Sequence, residues 1–185
     1  PAVGAMHAPG TIEGHAYALT ARELLDGFDG YASAYQGSNL LLYAPGGGVE
    51  NAGLSQAVND LLIQSMDGVR NEGPSIVLFP AWPPDEPAAF TSLRTKGAFL
   101  VNATWNSERR RVEGLGLTAT VRGHCRLVHP WLTTEEDPSV HVECAGQSDG
   151  GAPTRSFRLK AEVDGFLAWE MEAGEACRLS PGVAV

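Results

Sequence analysis

In Ala98-Phe99-Leu100-Val101-Asn102-Ala103-Thr104-Trp105, the residues Phe99, Val101, Ala103 and Trp105 alternate with Leu100, Asn102 and Thr104. A period of two belongs to a strand with one face in a core, because successive side chains point to opposite sides of a sheet. Leu115, Leu117, Ala119 and Val121 repeat the pattern. Working outward from Ser75, short β-branched and aromatic runs are separated by Gly-, Pro- and Asp-rich turns at sandwich-like spacing. This predicts strands over 76–79, 98–105, 111–121, 125–129, 140–145, 155–162 and 166–170. Leu132-Thr-Thr-Glu-Glu-Asp-Pro138 and Gln147-Ser-Asp-Gly-Gly-Ala-Pro153 read as loops between them.

Upstream the periodicity changes to that of helices. Over 20–35, Ala21, Leu24, Leu25 and Phe28 recur at intervals of three and four, with Thr20 and Glu23 forming a capping box. Gly27 and Gly30 weaken the second half. After the turn Ala44-Pro45-Gly46-Gly47-Gly48, the run 54–66 places Leu54, Val58, Leu61, Leu62 and Ser65 on one face, with Ser55 as cap and Gly68 as stop. The expected fold class is therefore mainly β with a short α-helical N-terminal segment: a helical part over 1–72 and an antiparallel β-sandwich over 73–185. Two helices carry too little apolar surface for a domain of their own, so they pack on the sandwich or belong to a larger helical body.

The chain has 185 residues and a formal charge of −9. Such an acidic protein is repelled by phosphate backbones, and Arg109-Arg110-Arg111 is too short a basic cluster to reverse that, so nucleic acid is not an expected partner. No run approaches the roughly 18 apolar residues of a membrane span. The start, Pro1-Ala-Val-Gly-Ala-Met6, lacks the basic and apolar regions of a signal peptide, which suggests a processed or truncated chain. Cys125, Cys144 and Cys177 form no CxxC pair, leaving open one disulfide with a leftover thiol.

His124, Cys125, His129, His141 and Cys144 are the ligand-type residues nearest one another. Metal chemistry would need short-spaced pairs converging on one ion, and strand alternation sends His124 to the face opposite Cys125 and His129, so no metal and no cofactor is assigned. Gly46-Gly47-Gly48 lacks the Lys and Ser/Thr of a phosphate loop. Among Trp82, Trp105, Trp131 and Trp169, Trp105 continues the inward face and Trp82 sits between Pro80 and Pro83, whereas Trp169 is the least constrained and is the candidate for stacking on a sugar ring. Arg94 is expected to pair with Asp67 or Asp85. Asn102-Ala103-Thr104 is a glycosylation sequon, meaningful in a secreted chain.

Four blocks occur in a telling order: Gly46-Gly-Gly-Val-Glu50-Asn51, Asn59-Asp-Leu-Leu-Ile-Gln64-Ser65-Met-Asp-Gly68, Leu78-Phe-Pro80-Ala-Trp82-Pro83, and Leu93-Arg94-Thr-Lys-Gly97-Ala-Phe99. With Arg126-Leu-Val-His-Pro-Trp131, they resemble the C-terminal part of family 95 glycoside hydrolases, the α-L-fucosidase-like enzymes. The likeness spans 45–131, with 69–75 longer than the family's usual connection. It implies a helix closing an (α/α)6 barrel that leads into a β-sandwich, in a parent that hydrolyses glycosidic bonds with inversion. The family's Asp-x-Asn-Phe-Gly motif falls on Val49-Glu50-Asn51-Ala52-Gly53: Asn51 takes the Asn position, Val49 stands in the Asp column, and Glu50 is one residue late. Glu50 and Asn51 are thus the candidate catalytic residues, with Glu50 otherwise read as a carboxylate complementing the following helix. The resemblance implies that the second catalytic group comes from barrel helices too long to fit into the 44 residues before Pro45, so the isolated chain is expected to be a non-catalytic portion of a hydrolase-like parent. The alternatives are a stand-alone carbohydrate-binding or structural interaction module, or a subunit of a larger assembly. Expected partners are carbohydrate, the missing barrel, or a protein covering the helix face of Leu54, Val58, Leu61 and Leu62, in an extracellular or secretory setting.

Overall fold

The computed structural model describes residues 49–67, 73–131, 139–146 and 155–182, together with Arg22 and Asp26, with side chains in the helix from Gln56 onward. The elements are α1 (Val49–Leu62), β1 (Ile63–Met66), β2 (Ser75–Leu78), β3 (Ala88–Thr95), β4 (Phe99–Asn106), β5 (Arg111–Ala119), β6 (Gly123–Val128), β7 (Ser139–Ala145), β8 (Arg155–Lys160), β9 (Phe166–Met171) and β10 (Ala176–Pro181). They divide into a smaller unit, 1–64 with 79–86, and a larger one, 65–78 with 87–185. The helix expected over 20–35 lies outside the described residues, as do the loops 132–138 and 147–153.

The larger unit is a mainly β sandwich of two packed sheets. Six strands lie in the order β3-β4-β5-β10-β7-β8, every neighbouring pair antiparallel. Four lie in the order β1-β2-β6-β9, with β2 and β6 parallel and β6 and β9 antiparallel. The alternation of β4 puts Phe99, Val101, Ala103 and Trp105 inside, and Leu115, Leu117 and Ala119 of β5 join them. Ile76, Leu127, Leu167 and Met171 fill the core from the four-stranded sheet. Each such side chain contributes about 1.5–3 kcal/mol when fully buried. Val121 lies past the end of β5 and is exposed, because the chain turns before the alternation reaches it.

Register ties the inner face into continuous rows. Leu93 pairs with Val101, Val101 with Leu117, Leu117 with Cys177, and Cys177 with Cys144. At the last step the two cysteines form a disulfide with an S–S distance of 2.05 Å, leaving Cys125 as the free, buried thiol. The cross-link joins residues 33 apart in sequence, for which loop-closure entropy gives stabilisation on the order of 3–4 kcal/mol.

Two strands bend for identifiable reasons. In β3 the register shifts between Phe90 and Leu93, and Ser92 takes a positive φ of 57°, its N–H donating to Asn102 Oδ1 at 2.7 Å. At the β3–β4 turn, Gly97 has φ 82°, and a Cβ there would meet the Phe99 ring at 2.7 Å, so no larger residue fits.

In the smaller unit, α1 begins earlier than the periodicity predicts and ends at Leu62, so Ser55 is an interior residue and the expected tail of the helix is strand β1. The last turn is closed by tertiary partners: Phe79 N–H donates to Leu62 O at 2.7 Å, and Gln64 Nε2 donates to Asp60 O at 2.9 Å. Leu61 is buried, and Val58 and Leu62 are half-buried, so this part of the helix face is already largely covered; Leu54 is outside the described side chains. Trp82 Nε1 donates to Glu86 O at 2.9 Å, and Arg22 pairs with Asp85 and Glu86. No helix among the described residues is long and apolar enough to cross a membrane.

The paired substitution Cys144→Ala/Cys177→Ala is expected to lower the unfolding free energy by about 2–4 kcal/mol in urea titrations, an effect matched by reducing the unmodified protein.

Candidate functional site

Glu50 and Asn51 are the second and third residues of α1, on its first turn. Unsatisfied N–H groups and the positive end of the helix dipole gather at such a turn, and these favour a carboxylate there. Their side chains lie outside the described residues.

Trp169 stands on β9, directly opposite Cys125 on β6. It is only 6% exposed, so the indole presents no open face to solvent on which a sugar could stack. Its Nε1 finds no hydrogen-bond partner among the described residues. Trp105 and Trp131 are likewise buried, the latter donating from Nε1 to Val112 O at 2.8 Å.

The histidine and cysteine group is separated by topology, since β6 and β7 belong to different sheets. His124 is exposed, with Nδ1 3.0 Å from Glu170 Oε1. His129 is buried, its Nδ1 accepting from Trp131 N–H at 3.1 Å. His141 Nε2 lies 2.7 Å from Ser156 Oγ on the neighbouring strand. A different trio, Cys144, Glu175 and Cys177, brings its ligand-type atoms within 4.8 Å. Both sulfurs are spent in the disulfide and the carboxylate is already engaged, so the trio as folded has no free donor set for an ion.

The engagement of Glu175 is the polar centre of the larger unit. Its carboxylate accepts from Arg155 Nε at 2.6 Å, from Arg155 Nη2 at 2.7 Å and from Glu172 N–H at 3.0 Å. Arg155 Nη2 also donates to Glu170 O at 2.6 Å. The guanidinium thus joins β8 of one sheet to β9 of the other and to the turn entering β10, a bidentate arrangement suited to a fork-shaped donor. Nothing in the sequence signals it, because two residues 20 apart outside any motif carry the contact.

Other carboxylates are also held by cations. Arg126 Nη2 meets Asp164 Oδ2 at 2.5 Å while its guanidinium covers the Phe166 ring at 3.8 Å. Lys96 holds Asp67 at 2.6 Å, and Arg22 takes Asp85, so Arg94 pairs with neither of its expected partners. Hydrogen bonding from Asn106, with help from Arg111 and Arg109, holds the Glu113 carboxyl below its usual range. That direction is opposite to the one a general acid requires. The sequon residue Asn102 has its Oδ1 committed to the β3 bulge.

Chemically, these arrangements are structural: opposite charges neutralise one another, and the remaining thiol is sealed in the core. Burial pushes the Cys125 pKa up, well above the ordinary thiol value of 9.0. The chain matches no protein-family model and no curated protein.

The raised Cys125 pKa adds stability that is fully present below the unfolded thiol's pKa and is lost as pH rises past 9.0, where the unfolded chain releases a proton that the folded chain keeps. Stability measured across that range is expected to fall with pH, and Cys125→Ala is expected to flatten the decline. The native thiol should stay inert to an aromatic disulfide reagent and react with one equivalent once the unreduced chain is unfolded.

Proposed function

We propose that this chain is the non-catalytic, C-terminal portion of a glycoside-hydrolase-like protein, a sandwich that braces a carbohydrate-processing body and leaves hydrolysis to groups elsewhere in the parent. The observation that carries the reading is the state of the carboxylates. Asp67, Asp85, Glu86, Glu113, Asp164, Glu170, Glu172 and Glu175 each have a cationic or histidine partner. An inverting hydrolase that uses two carboxyl groups holds them about 6.5–9.5 Å apart across the scissile bond. Side chains tied into ion pairs serve the fold instead, and Glu50 is the carboxylate that the resemblance nominates for such chemistry. The order of elements, helix α1 and then a sandwich, agrees with what the resemblance to family 95 implies, in a parent with fucosidase-like activity. A disulfide fits an oxidising, extracellular or secretory setting.

A second reading, a stand-alone carbohydrate-binding or interaction module, is favoured by one feature: exposed basic side chains on the six-stranded sheet that have no carboxylate partner among the described residues.

Incubation of the 185-residue chain with fucosylated and galactosylated oligosaccharides is expected to release no free sugar, and the intact native polypeptide is expected to have several times the mass of 19.6 kDa. Sugar release that Glu50→Gln abolishes would overturn the non-catalytic reading. A native mass near 19.6 kDa would leave the binding module in its place.

A further inference from the structure

The basic residues of the described structure fall into two groups. Arg22, Lys96, Arg109, Arg111, Arg122, Arg126 and Arg155 each hold a carboxylate. Of the others, Arg110 sits in the β4–β5 turn, while Arg94, Arg178, Arg158 and Lys160 all stand on the outer face of the six-stranded sheet.

Register shows how these four are laid out. Arg94 on β3 belongs to the row that continues through Leu100, Thr118 and Ala176. Arg178 lies two residues further along β10, in the row of Gly116 and Asn102. Arg158 lies one row beyond, level with His141 and Ser180, and Lys160 one row beyond that. The four cations therefore run diagonally across the sheet. With strands about 4.8 Å apart and about 6.8 Å between same-face residues, the line is about 30 Å long. Glu143, opposite Arg178, is the acidic residue within it and forms no ion pair with Arg178. Gly116 keeps the floor low beside Arg178.

We infer that this diagonal binds an acidic polysaccharide, whose carboxylate or sulfate groups are taken in turn by Arg94, Arg178, Arg158 and Lys160. The inference rests on the second reading above, that of a carbohydrate-binding module. Charge complementarity selects a polyanion, since unpaired guanidinium groups form forked hydrogen bonds with carboxylate and sulfate. The rest of the face selects the polyanion's class. It carries no Phe, Tyr or Trp among the described residues, so it lacks the platforms on which single-stranded nucleic acid stacks. The described face of the sheet carries no helix to enter a duplex groove, and the chain's charge of −9 opposes long-range attraction to DNA. Among the described residues Leu100 is the one large apolar side chain on it and is half-buried, too little to insert into a membrane, and the face lacks the aromatic-rich centre typical of protein interfaces. A hydrated linear glycan with regularly spaced anionic groups needs neither.

The test is affinity electrophoresis in native gels cast with polygalacturonate, heparin, neutral dextran or a neutral fucosylated glycan, with linear DNA as a separate competitor. Retardation is expected in polygalacturonate, in heparin or in both, with the stronger arm distinguishing carboxylate from sulfate recognition. It is expected to disappear between about 50 and about 200 mM salt. Replacing the four residues as Arg94→Gln/Arg158→Gln/Lys160→Gln/Arg178→Gln should weaken binding at least about tenfold, a loss of about 1.4 kcal/mol. Arg110→Gln should leave it unchanged. Absence of retardation in both acidic polymers, an equal loss in Arg110→Gln, or equally strong competition by DNA would overturn the inference. Retardation only by the neutral fucosylated glycan would overturn it too, while leaving the binding-module reading intact.

Discussion

Strand β10 is hydrogen-bonded to β5 on one side and to β7 on the other, and the six-stranded sheet has no continuous ladder without it. The remaining strands fall into a meander of β3, β4 and β5 and a hairpin of β7 and β8. Neither would bury its inner face without the other, and two- or three-stranded pieces are marginal by themselves. The core residues Leu117 and Val142 lie on opposite sides of β10, so its register sets how the two halves of the inner face align. The disulfide reinforces the same constraint by fixing Cys177 against Cys144, where a slip of one residue would turn Cys177 and Leu179 to the solvent side.

The ion pair between the exposed Arg155 and the buried Glu175 acts at the entrance to that strand. Glu175 immediately precedes β10, its carbonyl accepts from Ala119 N–H at 2.9 Å, and its carboxylate is enclosed by Arg155. A buried charge without a partner would cost several kcal/mol, so the arrangement is stable only as a complete set. The pair therefore contributes specificity of placement more than net stability, tying the β9–β10 turn to the edge strand β8. The polar chemistry inside the sandwich is directed at holding strands in register.

The alternation of residues in β4 and β5, the turn signals and the β-branched runs made the sandwich legible, and most expected strands appear within two or three residues of their bounds. Three strands were hidden for different reasons. The sequence of β1 continues a helical spacing, and only the hydrogen bond from Phe79 to Leu62 O reveals that the helix stops. The bulge in β3 places Thr91 and Ser92 out of phase, so its period of two is broken. In β10, Ala176-Cys-Arg-Leu-Ser-Pro181 has just two large inward residues and ends in proline, a composition typical of an edge, yet it lies in the middle of the sheet. The site was less legible. Trp169 looked unconstrained because the burial of β9 comes from a distant strand pair. Arg94 was expected in an ion pair because its competitors Lys96 and Arg22 for the same carboxylates are visible only in three dimensions. The diagonal of cations depends on register across β3, β10 and β8, which sequence distance conceals.

The central position of β10 also governs how the protein can assemble. Until that strand docks, β5 and β7 present two facing rows of unpaired N–H and C=O groups separated by a gap one strand wide. Closing it joins segments far apart in the chain, the kind of non-local pairing that slows folding. In that interval the gap is an acceptor for any segment of the right pattern, including β10 of a neighbouring molecule, and an exchange of that strand would preserve every ladder contact while linking two chains. The Cys144–Cys177 bond would form equally well across such an exchanged pair, so the same oxidation that secures β10 within one chain would lock two exchanged chains together.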